Sequence, residues 1–238
     1  MKDTAVKAMF ETIAGTYDFQ NSFLSLGRDI SWRKALARSI RIDERAVVVD
    51  VAAGTAEVAL VIARHHPQSR VVGVDFSPAM LAVGRKKIRA RGLPDRISLA
   101  AGDGRRLPVR DASADAVTIA FGLRNIEERH LALREFYRVL KPGGQLLVME
   151  FSYPETPLLN TLYRFYFDRI LPPVGNWLSR TDYAYSYLAD SVNRFPPDDE
   201  FLHEIGWAGF KRCAVTKLTF GIAKIFHAFK EDNESQLA

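Results

Sequence analysis

The stretch from Asp115 to Phe151, DAVTIAFGLRNIEERHLALREFYRVLKPGGQLLVMEF, constrains the fold more than any other part of the chain. AVTIAF is an apolar run that reads as a buried strand, and GLRN sets an arginine and an asparagine where it stops. Leu131, Leu133, Phe136, Val139 and Leu140 then recur at roughly helical spacing. Lys141-Pro142-Gly143-Gly144 closes that helix before a second strand, QLLVMEF. A strand–helix–strand unit of this kind belongs in an open α/β sheet, where ligands sit outside the carboxyl ends of the strands. Arg124 and Asn125 are placed there for chemistry. The same spacing also suits a solvated strand-end charge at Arg124 and a helix cap at Asn125.

The first half indicates the kind of ligand. Ala46 to Val51, AVVVDV, is a continuous run of the type expected for a parallel strand covered on both faces. It passes through Ala52-Ala53-Gly54-Thr55-Ala56-Glu57 into an apolar-periodic helix, VALVIARHH. A second strand, Arg70 to Val74, ends in Asp75, about 20 residues after Gly54, where a carboxylate can accept both hydroxyls of a ribose. A third, ISLAA, ends in Gly102-Asp103-Gly104. One glycine in a strand-to-helix turn is weak evidence, but Asp50, Asp75 and Asp103 together put carboxylates at three strand ends. Such a row suits a nucleoside without phosphates, since a pyrophosphate favours backbone donors and positive charge. S-adenosylmethionine fits this pattern better than NAD does.

A chain of 238 residues, 47% of them apolar, can bury the core of one α/β domain. It has no run of about 18 apolar residues, and its start, MKDTAVKAMFETIAG, lacks the apolar core of a signal peptide. A cytoplasmic protein is the expectation. Cys213 is the single cysteine and reads as a small core residue of a strand. No Cys/His cluster has metal-ligand spacing, so no metal is expected. The net charge of +5 draws on Arg85, Lys86, Lys87, Arg89 and Arg91 of one helix. No aromatics interleave them as a nucleic-acid site requires. They read as a solvated face, with attraction to anionic lipid as the second reading.

The chain also resembles a known family, the C-methyltransferases of ubiquinone and menaquinone biosynthesis, demethylmenaquinone methyltransferases included, within the class I S-adenosylmethionine-dependent methyltransferases. The resemblance covers nearly the whole chain. It rests on Phe10-Glu11-Thr12-Ile13-Ala14, Tyr17-Asp18, Asn21, Ser25-Leu26-Gly27 and Trp32-Arg33 near the start. FGLRN and YRVLKPGGQLLVMEFS carry it in the middle. Tyr185, Tyr187-Leu188-Ala189-Asp190-Ser191 and Phe195-Pro196 carry it near the end. It implies that Gly54, Thr55, Asp75, Asp103 and Gly104, with Asp50 beside them, hold S-adenosyl-L-methionine. Tyr17, Arg124 and Asn125 would face the ring of a lipophilic quinol. The basic charge and the apolar insertion add the expectation of peripheral contact with an anionic membrane surface at its inner face, and a homodimer is one assembly the chain allows. Where the family's loop usually reads GTGD, Ala56 and Glu57 hold the last two positions, and Ala120 stands where a serine is common. An alanine at position 56 is tolerated only with negative φ, and its methyl is placed to crowd the methionine end of the cofactor.

The expected architecture is a Rossmann-like, seven-stranded, mostly parallel sheet with helices on both faces and an antiparallel last strand. Residues 1–43 form a helical lid, 44–152 the nucleoside half and 153–194 a helical insertion. Residues 195–230 form a helix and a hairpin turning near Gly221; Glu231 to Ala238 reads as a disordered tail. The insertion, LLNTLYRFYFDRILPPVGNWLSR, reads either as core or as an apolar wall for a polyprenyl tail at the membrane interface. His65 and His66 read as a polar helix end, and Asp198, Asp199 and Glu200 as a helix N-terminus. Three functions fit: a quinol C-methyltransferase, a class I methyltransferase acting on another lipophilic phenol or small molecule, and a non-catalytic binding or assembly subunit.

Overall fold

A computed structural model describes residues 2–171, 173 and 184–232. Five strands run parallel: β1 (Val47–Val51), β2 (Arg70–Asp75), β3 (Ile97–Ala101), β4 (Ala114–Ala120) and β5 (Leu140–Phe151). β6 (Lys211–Leu218) and β7 (Ala223–Phe229) complete the sheet, with β7 antiparallel to both β5 and β6. The order is β3-β2-β1-β4-β5-β7-β6, so the winding reverses between β1 and β4. Ligands of open α/β sheets bind at such a reversal. The expected mostly parallel, seven-stranded architecture is the one observed.

Both faces of the sheet are covered. α4 (Glu57–His65) buries Val58, Ala59, Leu60, Ile62 and Ala63 against one face. α6 (Arg129–Val139) buries Ala132, Leu133, Phe136 and Val139 against the other. Each large apolar side chain buried in this way contributes about 1.5–3 kcal/mol. Leu131, expected in the α6 stripe, is instead exposed. One residue turns a helix by about 100°, and Ala132 takes the inward position. Leu140, also assigned to that stripe, already belongs to β5: it pairs with Ala114, and the next pair is Ala116 with Gln145. Lys141 to Gly144 therefore loop out within the strand, and Gly143 adopts φ +75°. α5 (Pro78–Ala90) is capped by Ser77, whose hydroxyl accepts from the Met80 amide.

Three helices precede the sheet: α1 (Lys2–Ile13), α2 (Tyr17–Leu24) and α3 (Arg28–Ser39). After β5 come α7 (Pro157–Phe165), a π-helical turn at Tyr166–Ile170 and a helix at Ala184–Asn193. These packed helices share a small apolar core built on Met9, Phe167, Leu171, Ala189 and Val192. The NWLSR part of the insertion and the end of the tail from residue 233 lie outside the described residues.

Candidate active site

The loops that follow β1 and β4 meet over the sheet reversal, and they meet closely. A Cβ built on Gly122 would stand 2.5 Å from the Ala52 Cβ, so only glycine lets the two loops touch. Ala52 and Phe121 adopt φ of +51° and +56°, left-handed conformations that side chains disfavour. Strain of this kind persists where surrounding packing fixes it, and it clusters at functional sites.

Two cavities open on either side of this junction. One, of about 390 Å³, is lined by Val74, Asp75, Phe76, Met80, Asp103, Gly104 and Ile126. The other, of about 360 Å³, runs between the N-terminal helices and those that follow β5, past Trp32, Arg33, Arg124, Phe151, Phe167 and Tyr187. Phe10, Tyr17, Ala52, Gly54, Ala120, Phe121 and Asn125 line both. Tyr17, Gly54 and Asn125, singled out from sequence, thus share one boundary.

In the first cavity, Asp75 accepts the Gly54 amide at 2.8 Å and the Ser77 amide at 2.8 Å, which orients its carboxylate and ties the Gly54 loop to β2. Burial raises its pKa against these bonds. Each carboxylate oxygen keeps a lone pair for a ribose hydroxyl. A Cβ on Gly104 would lie 3.0 Å from Ile126 and 3.2 Å from Val51, so a side chain here would press on both at the cavity wall. This donor and acceptor set fits the adenosine part of S-adenosyl-L-methionine. Asp103 lines the same cavity and is exposed, with Arg105 bonded to both its oxygens and holding its pKa low.

Two sequence expectations change here. Asp50 lies within β1 and lines neither cavity. It is 1% exposed, its Oδ1 accepts the Thr118 hydroxyl at 2.8 Å, and among the described residues its Oδ2 has no partner. Burial pushes its pKa up to about 7. Ala56 adopts φ +67°, not the negative value that sequence reasoning required of an alanine there, and it lines neither cavity. It is fully buried, and its Cβ faces Gly84 of α5, where an added Cβ would lie 3.2 Å away. The methyl therefore fills the α4–α5 packing and does not crowd a ligand.

The N-terminal helices are fastened to this loop by charge. The Thr55 hydroxyl donates to Asp18 of α2 at 2.5 Å, and Lys87 of α5 bonds both Asp18 and Glu57. Lys87 is thereby withdrawn from the solvated basic face to which the sequence assigned it.

In the second cavity Arg124 is no solvated strand-end charge: its side chain is 7% exposed and ion-paired to Glu150 at 2.8 Å. Its Nη1 also donates to the Phe121 carbonyl, and its Nε to the Ser191 hydroxyl at 3.2 Å. Among the described residues Nη2 has no hydrogen-bond partner. Asn125 does not cap α6, which begins four residues later; its Oδ1 accepts the Tyr187 hydroxyl at 3.1 Å. Burial raises the Tyr17 pKa, opposed by the charges of Arg124 and Arg33 and by a bond with Asn21. Phe121 and Phe151 stack at 4.3 Å, with Trp32 edge-on to Phe151, and give the cavity an apolar wall. His65, His66 and Cys213 line neither cavity.

Glu150 is the residue that sequence reasoning misses. Its signal is a lone carboxylate in the apolar run LLVMEF, which needs a buried partner. Ser191 and Tyr187 reach the site from the insertion, and no local pattern predicts that contact. Among the described residues, no group of three His, Cys, Asp or Glu side chains is arranged to hold a metal, and no helix is long and apolar enough to cross a membrane.

The sequence profile described as the ubiE/COQ5 methyltransferase family matches residues 1–230. The ubiquinone/menaquinone biosynthesis C-methyltransferase UbiE of Geotalea daltonii is 42% identical over 94% of this chain and 96% of its own length. The demethylmenaquinone methyltransferase of Streptomyces avermitilis is 40% identical over 94% of each chain. Among solved structures, a SAM-dependent methyltransferase from Aquifex aeolicus superposes with a TM-score of 0.62 at 17% identity, covering 83% of this chain and 88% of its own. That similarity speaks for the fold alone.

Proposed function

Because the chain belongs to the ubiE/COQ5 methyltransferase family, we propose that its paired cavities move the methyl group of S-adenosyl-L-methionine onto a ring carbon of a reduced polyprenyl quinol. The activity class follows from the family: an S-adenosylmethionine-dependent C-methyltransferase of ubiquinone/menaquinone biosynthesis. The acceptor is demethylmenaquinol or its benzoquinol equivalent. One observation carries the reading: a polar nucleoside slot and an aromatic-walled pocket share a boundary at Tyr17, Gly54 and Asn125.

When bound, the cofactor supplies a methyl group already electrophilic on a sulfonium. The protein's tasks are therefore orientation and control of one proton. Asp75 and the Gly54 loop fix the nucleoside, while Phe121, Phe151 and Trp32 hold the acceptor ring. Correct placement of two reactants supplies about 7–11 kcal/mol of barrier reduction. An acceptor carbon gains nucleophilicity as the neighbouring hydroxyl loses its proton. Arg124 is permanently charged and is no base. Its Nη2 is the donor left to meet the developing oxyanion, with Glu150 and Ser191 fixing the guanidinium. Asn125, oriented by Tyr187, and Tyr17 hold the water that takes the proton.

The lipid tail and its membrane belong to the same reading. Leu158, Leu162 and Phe165 are 70%, 59% and 61% exposed, at helical spacing on α7. Phe19, Phe23 and Leu26 of the lid segment are also exposed, and Leu26 lines the aromatic cavity. Apolar side chains around a pocket for a polyprenyl chain suit the interfacial region of a bilayer, with the net charge of +5 favouring an anionic leaflet. The test is methyl transfer to demethylmenaquinol in vesicles, chemically reduced or left oxidised. Turnover with the quinol alone is expected; equal turnover with the quinone would refute the reading.

A further inference from the structure

The methionine end of the cofactor is a zwitterion, so its carboxylate needs a cation at the mouth of the Gly54 loop. Among the described residues Arg28, Arg33 and Arg124 line the aromatic cavity and Lys87 bonds two residues that line it; two of these four are committed elsewhere and one is exposed. Arg124 is spread over Glu150, Phe121 and Ser191. Lys87 is shared by Asp18 and Glu57, and Arg28 is exposed to solvent. Arg33 is different. It is buried, it lines the same cavity as Ala53, Gly54 and Thr55, and among the described residues its guanidinium donates once, from Nη1 to Asp29 at 2.6 Å. Its charge reaches the Tyr17 hydroxyl and the Asp50 carboxyl, the groups that flank the loop.

Asp29 gives that guanidinium a fixed direction. It sits one turn earlier on α3, buried, and accepts the Ser22 hydroxyl at 3.0 Å, the Ser25 hydroxyl at 3.0 Å and Arg33. A carboxylate so occupied is a clamp on the arginine and no longer a ligand for a second cation. The remaining edge of the planar guanidinium, with Nε and Nη2, matches a carboxylate in a two-point contact. We propose that Arg33, oriented by Asp29, binds the carboxylate of the cofactor's methionine moiety, which makes α3 part of the cofactor site. The inference rests on the cofactor assignment above. It also gives the lid a reason to order around the cofactor, since Arg33 and Asp18 come from lid helices and Gly54 and Thr55 from the sheet.

A pair of ligands isolates the contact. S-adenosylhomocysteine carries the carboxylate, and 5′-methylthioadenosine lacks the amino-acid end. Calorimetric titration of the full chain is expected to show Arg33→Gln weakening S-adenosylhomocysteine by about 10- to 100-fold, the scale of a lost charge-assisted bond. Affinity for 5′-methylthioadenosine should stay within about threefold on the same reasoning. Arg33→Lys should recover part of the loss, and it carries the same comparison if the glutamine variant fails to fold. Equal losses for both ligands, or no loss for either, would overturn the proposal. Failure of the wild type to bind S-adenosylhomocysteine would instead overturn the cofactor assignment and this inference with it.

Discussion

Replacing Arg124 with leucine tests the site most sharply, because the Glu150 pairing splits its effect into two measurable parts. Glu150 is 1% exposed and would lose the one cation paired with it among the described residues. Breaking a buried pair by removing one partner costs about 3–5 kcal/mol. For a chain of this length that is a fall in melting temperature of roughly 6–20 °C. Separately, loss of one donor to a developing oxyanion lowers turnover by about 10²- to 10³-fold. The double variant Arg124→Leu/Glu150→Gln removes the orphaned charge but restores no donor. It should regain most of the stability and none of the turnover, with S-adenosyl-L-methionine affinity within about threefold throughout. Urea denaturation and single-turnover methyl transfer on all four members of the cycle measure both parts. Turnover that returned with stability in the double variant would refute a chemical role for Arg124 and leave it as a structural anchor.

Four further outcomes follow from individual contacts. Asp50 has a folded pKa raised to about 7 from 3.8, so its stabilising contribution is complete below pH 3.8 and is lost as pH rises toward 7. Asp50→Asn should therefore gain on the order of 2 kcal/mol relative to wild type between pH 5 and pH 8, read from urea midpoints; parallel pH profiles would contradict the burial argument. Ala56→Gly exchanges about 1 kcal/mol of left-handed strain for a buried methyl of similar worth, so stability should change by less than about 1 kcal/mol and calorimetric cofactor affinity should not change. Gly122→Ala must push the β1 and β4 loops apart, and a thermal scan should show more than about 2 kcal/mol of destabilisation. Serine at both Leu162 and Phe165 should weaken co-sedimentation with anionic vesicles by about tenfold or more while leaving the melting temperature unchanged.

Much of the fold is legible in the sequence because hydrophobic period encodes it directly. AVVVDV and AVTIAF read as buried strands, and α4 and α6 read as one-faced helices. The site is legible where it lies at strand ends: Gly54, Asp75, Asp103, Arg124 and Asn125 all border the two cavities. What escapes is what depends on chain reversal between distant segments. Glu150 pairs with a residue 26 positions away, and Arg124 meets Ser191 67 positions away. No local pattern reports such meetings. Asp50 reads as a strand-end carboxylate because one residue of register separates a cavity-facing group from a buried one. Ala56 reads as a steric problem because sequence gives its neighbours in the loop but not Gly84, across which its methyl packs.

The most direct measurement of the central claim is where the methyl group goes. The protein is incubated with S-adenosyl-L-methionine carrying an isotopically labelled methyl and with reduced demethylmenaquinol, and the lipid product is examined by NMR. The account predicts a methyl bonded to a ring carbon, with one S-adenosylhomocysteine released per methyl transferred. A methyl on a quinol oxygen, or cofactor turnover with no labelled lipid, would contradict it.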